Sequence, residues 1–166
     1  MINIFFQEWA PLFPILHRPT FLSLYEQYVA SPDTMSDKKS IAQLNLVFGI
    51  AALSSDVCMP YDTCQPFTDF LKPRDGQDVE SFETQWQSAI ESFLMENDVA
   101  TLQSLVLAQI FCLLRADYSR VLKYKGLAVG LSQRLGLHQS QKRFALDALT
   151  SETRKKLFWS LYTVDW

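Results

Sequence analysis

Between Asp98 and Arg115 the chain carries sixteen residues without a charge, Val99 to Leu114, reading VATLQSLVLAQIFCLL. No other stretch limits the fold as tightly. A membrane-spanning helix needs about 20 consecutive apolar residues, whereas this run is shorter and contains Gln103 and Gln109. A helix that is apolar nearly all round has to be sheathed by other helices. The run, from Thr101 to Leu114, therefore reads as a central core helix, and Ser40 to Ser55 has the same character.

Elsewhere apolar residues recur at spacings of three and four, with only 5 glycines and no sustained alternation of the kind a sheet requires. Asp78 is placed to cap a helix over VESFETQWQSAIESFLMEN, with Phe82, Trp86, Ile90 and Phe93 on its inner face. Pro19 suits the first turn of PTFLSLYEQYVA, where its missing N–H has no partner to lose. From Arg120 onward Tyr124, Leu127, Ala128, Leu131 and Leu135 form one stripe, and Gly136 follows where a left-handed cap would sit. Thr150 or Ser151 is expected to cap the last helix. Residues 31–39 and 58–78 read as irregular, the second with its prolines and the Gly76 turn. Gly126 and Gly130, four apart on one helix, predict the close approach of a second helix. The fold class is all-α, an irregular multi-helix bundle of about seven helices, and it is expected to be incomplete at its C-terminus.

Lys and Arg number 15 against 18 Asp and Glu, a net charge of −3. A module that grips DNA by its phosphates carries an excess of cations on one face, so DNA contact is not expected from this segment. Cys58, Cys64 and Cys112 make an odd number without a framework, which fits a reducing compartment. The pair in CMPYDTC lacks the partner ligands of a closed zinc site, so no metal is expected here. The N-terminus has no cationic start, and no glycosylation sequon occurs. Both observations predict an intracellular protein without a membrane partner. No nucleophile elbow, phosphate-cradling loop or metalloprotease helix is present, so no catalytic residue is assigned and an enzyme is not expected. His17 and His138 both follow helix-end signals, where a histidine usually serves the dipole or a hydrogen bond.

The chain closes on TRKKLFWSLYTVDW. On a helix, Leu157, Leu161 and Val164 line one side and Phe158, Tyr162 and Trp166 an adjoining one, a wide apolar arc that predicts burial between helices. Trp159 is expected in the core. Arg154, Lys155 and Lys156 fall in the first turns, where the dipole disfavours cations, and Glu152 with acids from neighbouring helices is expected to offset them. A contact with a DNA backbone or a membrane surface is the alternative reading of this ridge.

Blocks in a fixed order carry a family resemblance: FFQEWAPLFPILHRPTF, LNLVFGIAALSSD, TLQSLVLAQIFCLL, KGLAVGLSQRLGLHQ and SETRKKLFWSLYTVD. Within them stand Phe13, Pro14, Ile15, His17, Pro19 and Phe21; Gly126 and Ala128; Leu135, Gly136, Leu137 and His138; and Glu152, Arg154, Phe158, Trp159, Tyr162 and Asp165. The pattern resembles the fungal-specific transcription factor domain, the middle homology region of binuclear zinc-cluster regulators, across nearly the whole chain. Gln139 and Trp166 stand where the family commonly has Arg. The resemblance implies that residues 1–166 are part of one regulatory domain in the nucleus, acting on RNA polymerase II transcription. It places DNA contact and zinc in a six-cysteine cluster outside this chain. Its implied partners are the rest of the factor and a small-molecule effector or co-regulator protein. An autonomous helical ligand- or protein-binding domain with the same fold, or less readily a cryptic enzyme, is the other reading that stays open.

Overall fold

The computed structural model describes residues 1–31, 37–57, 77–139 and 146–164, and within them every regular element is helical. Helix α1 (Ile2–Ile4) runs directly into a π-helical turn (Phe5–Trp9). There follow α2 (Arg18–Ala30), α3 (Lys38–Val57), α4 (Gln77–Phe93), α5 (Val99–Leu114), α6 (Tyr118–Arg134) and α7 (Ala148–Val164). Of the stretch 58–78 read as irregular, residues 58–76 with Cys58 and Cys64 lie outside the described residues, as do the side chain of Asp78 and residues Asp165 and Trp166, while positions 77 and 78 already belong to α4.

Helix α5 is the axis of the body. Nearly every side chain from Thr101 to Cys112 is buried, as the uncharged run requires. Helices α3 and α6 pack against it, α4 lies on α3, and α7 closes over α5 and α6. The inner face of α4 is the expected one: Trp86, Ile90 and Phe93 are buried and Phe82 half-buried. Trp86 meets Phe111 edge to face at 5.3 Å and Tyr124 at 5.9 Å, so one aromatic cluster ties α4, α5 and α6. At the N-terminus the indole Nε1 of Trp9 donates to Ser54 Oγ at 2.6 Å, which fastens the π-helical turn to α3.

Helices α3, α5, α6 and α7 start on aspartates. Asp37, Asp98, Asp117 and Asp147 each accept the backbone N–H three residues on, at 3.2, 2.7, 3.1 and 3.1 Å. Each thereby satisfies an amide that has no partner inside its helix. Two sequence expectations change as a result. Helix α3 begins at Lys38, inside the stretch read as irregular, and α7 begins at Ala148 with Asp147 as its cap in place of Thr150 or Ser151.

The close helix approach occurs at a different glycine. A Cβ on Gly49 of α3 would stand 2.6 Å from Phe111 Cε2, so α3 and α5 touch where only glycine fits. A Cβ on Gly126 or Gly130 would meet nothing within 4 Å, and the expectation of a helix packed on those two is overturned. The buried stripe of α6 is Tyr124, Ala128 and Leu131, and Gly126 points away from it. Gly136 ends α6 with φ of +67°, the left-handed conformation its position predicted.

Trp159 is also corrected. It is 62% exposed, and Tyr162 is 49% exposed. Leu157, Ser160 and Leu161 form the buried face of α7, and this rotation turns Trp159 to solvent. The arc is therefore narrower than expected, with Phe158 and Val164 half-buried at its margins.

Candidate functional site

Some of the motif residues gather at two joints, whereas Gly126, Trp159 and Tyr162 are exposed on α6 and α7. At the first, the turn between the π-helical segment and α2 meets the start of α7. Phe13 stacks on Trp9 at 6.1 Å, Ile15 is fully buried, and Phe21 packs edge to face on Phe6 at 5.6 Å. Gln103 Nε2 donates to the Ile15 carbonyl at 2.8 Å, pinning the turn to α5. His17 is the N-cap residue of α2, not a C-terminal one, with Nδ1 2.8 Å from Thr20 Oγ1. Pro19 occupies the first turn as expected. Pro14, His17 and Pro19 share a cleft of about 290 Å³ with Glu152 and Lys156 of α7.

At the second joint, the end of α6 meets α7. Arg154 Nη2 donates to the Leu135 carbonyl at 2.6 Å, Leu137 is buried, and His138 is exposed. The cationic ridge does not act as one surface. Arg154 turns to Leu135, Lys156 pairs with Glu152 at 2.7 Å, and Lys155 faces solvent. The Lys156 ammonium holds the Glu152 carboxyl below its ordinary range.

Beside the first joint lies a groove of about 560 Å³ between α2, α3, the first turn of α5 and the start of α7. Leu16, Phe21, Leu24 and Leu149 give it an apolar wall, and Gln27, Gln43 and Gln103 supply amides. Among the described residues no Asp, Glu, Lys or Arg lines it, while His17 does. Its position was not visible in the sequence, because its walls come from segments more than a hundred residues apart.

Charges cluster at its rim and elsewhere. Lys39 bonds both Asp98 and Glu96, and these bonds raise its pKa against the opposing effect of burial. Burial pushes the Asp98 carboxyl up, but the Lys39 ammonium and the Thr101 N–H outweigh it and hold the group low. On the far side Glu83 takes Arg120 at 2.5 Å and Arg115 at 3.6 Å, while Arg120 also grips Asp117 at 2.5 Å. The side-chain and backbone bonds from Arg120 draw Asp117 down to about 2. Burial raises the Cys112 thiol and the Tyr124 phenol, each to about 12. Both are therefore neutral core groups at physiological pH, without the thiolate a reactive cysteine needs. Among the described residues no three His, Cys, Asp or Glu side chains converge as metal ligands. None of their helices is long and apolar enough to cross a membrane.

An all-helical body is the fold the sequence resemblance implied. Residues 2–166 match the fungal specific transcription factor domain, and the chain belongs to that family. It is 53% identical over 164 residues to the transcriptional activator protein acu-15 of Neurospora crassa, covering 99% of this chain and 16% of that protein. It is 26% identical over 165 residues to an ABC-transporter-regulating transcription factor of Aspergillus oryzae, covering 97% of this chain and 17% of that protein. A factor of the same description from Aspergillus fumigatus shows 26% identity over 165 residues, with the same coverage of 97% and 17%. The chain thus spans less than a fifth of the length of these relatives. No solved structure matches it.

Proposed function

We propose that this chain is the regulatory region of a longer nuclear transcription factor. In this reading it adjusts RNA polymerase II transcription of target genes, and a zinc cluster elsewhere in the factor touches DNA. The observation that carries the proposal is the 53% identity, over 99% of the chain, to a protein named as a transcriptional activator. Residues 1–166 act in it as one regulatory domain, with no metal of their own and no catalytic step. Two features of the chain support that role. One hydrophobic core runs from Phe5 to Leu161, so the described helices respond as a connected body. The net charge of −3 does not favour a phosphate backbone, and the separate partners of Arg154 and Lys156 break up the cationic ridge of α7. The partners of this region are then the rest of the factor and an effector or co-regulator.

A salt titration of DNA binding by the chain tests where the DNA contact lies. The expected result is weak binding whose log–log salt slope is no steeper than about −1. Tight binding with a slope steeper than about −4 would place phosphate contacts in this chain and overturn the assignment.

A further inference from the structure

Helix α6 turns its two most exposed large side chains and both of its glycines to the outside, in one row. Tyr118 and Leu122 are each 68% exposed and stand one turn apart. Gly126 and Gly130 continue the row at the same spacing of four, along a single ridge of the helix. A glycine inside a helix weakens it relative to alanine, and nothing in this chain uses the space the two leave. A Cβ at either position would meet no atom within 4 Å. The row therefore consists of two apolar protrusions followed by two notches, and no helix of the same chain packs on it.

The surface that fits this row is a second copy of it. Tyr118 with Gly130, and Leu122 with Gly126, are pairs centred on the same level of the helix, that of Tyr124. Two α6 helices laid antiparallel about a twofold axis at that level set each protrusion of one copy over a notch of the other. Such a contact is isologous, the form that closes a symmetric dimer. Another helix would need large and small residues in the inverse order, which a reversed second copy supplies by symmetry. The charges on α6 lie at the flanks of the row. Lys123 carries its ammonium back over its own Tyr124 ring, 5.8 Å from the centroid and toward the buried stripe. Lys125 is half-buried on the other flank. Like charges brought together at both flanks oppose the contact at low salt and are screened at high salt.

We propose that two copies of this chain associate through α6, with Leu122 of each over Gly126 of the other and Tyr118 over Gly130. One helix pair covers less than the roughly 1,200 Å² of a stable interface, so the dimer is weak and forms where two chains are already held close together. The contact is a property of the folded chain and does not depend on the regulatory reading.

Sedimentation of the 166-residue chain from about 10 μM to 1 mM tests it, with an expected dimer Kd on the order of 100 μM. Association is expected to tighten between about 0.05 and 0.5 M NaCl. Gly126→Leu adds a better helix former in open space, so the monomer stays folded, yet it fills the notch and is expected to weaken the dimer at least about tenfold. Gly130→Leu makes the same test beneath Tyr118 and replaces that variant if it does not fold. Leu122→Ala combined with Gly126→Leu exchanges protrusion and notch, and is expected to associate at least about threefold more tightly than Gly126→Leu alone. A chain that stays monomeric to about 1 mM, a dimer indifferent to both glycine variants, a dimer weakened by salt, or no recovery in the double variant would each overturn the proposal. None of those results touches the regulatory reading, which fails instead if the chain cannot support transcription within a full-length factor.

Discussion

Arg154 of α7 donates to the backbone carbonyl of Leu135 at 2.6 Å, so the final motif block is fastened to the left-handed turn that ends α6. The last carbonyls of a helix have no partner within it, and a guanidinium supplies one with a charge that suits that end of the dipole. Arg154→Met keeps the length of the side chain and removes the donor. It is expected to lower the unfolding free energy by about 1–2 kcal/mol, measured by urea denaturation. An unchanged midpoint would show that the joint is held by packing alone.

Two tryptophans separate core from surface. Trp86 is fully buried against Phe111 and Tyr124, whereas Trp159 is 62% exposed. Trp86→Ala is expected to cost about 3–5 kcal/mol, and Trp159→Ala less than about 1 kcal/mol. In fluorescence, Trp159 should be more readily quenched by acrylamide than Trp86. Equal losses in the two variants would contradict the orientation of α7.

The glycines divide in the same way. Gly49→Ala drives a methyl into the Phe111 ring and is expected to destabilise by about 1–3 kcal/mol. Gly126→Ala enters open space on an exposed helix and is expected to stabilise by up to about 1 kcal/mol. Paired thermal melts decide this, and a loss at position 126 would restore the packing role the sequence suggested.

Acid should loosen the helix starts. Asp98, Asp117, Asp147 and Glu152 all have folded pKa values below their ordinary ones, Asp117 at about 2. Between the folded and unfolded values the unfolded chain binds more protons. The stabilisation is therefore present above about pH 4 and drains away as the pH falls toward 2. Denaturant midpoints at about pH 6 and pH 3 should differ, and Asp117→Asn should shrink the difference. A midpoint that does not move with acid would contradict the capping assignments.

Much of the fold was legible because burial leaves a period. The uncharged run gave α5, the pattern Trp86, Ile90, Phe93 gave the inner face of α4, and Gly136 gave the end of α6. What was misread follows from weighing residue type above rotation. On α7 the spacing of Leu157, Ser160, Leu161 and Val164 sets the inner face, and a small serine sits on it while Trp159 does not. Gly126 lies two residues from each of Tyr124 and Ala128, which on a helix is the far side. The aspartate caps did carry a signal, since each stands just ahead of an apolar-periodic segment. At Asp147 it was overlooked because Thr150 and Ser151 offered equally good capping chemistry. The groove carried none, because it exists only where four separated helices meet.

The most direct measurement exchanges this chain for the matching segment of the Neurospora activator and reads transcription of that factor's target genes beside a version with the segment deleted. The account predicts that deletion changes regulated output and that the exchanged chain restores it, while Trp86→Ala in the exchanged chain does not. A chimera that is expressed, enters the nucleus and occupies its DNA, yet behaves as the deletion does, would contradict a regulatory role for these helices.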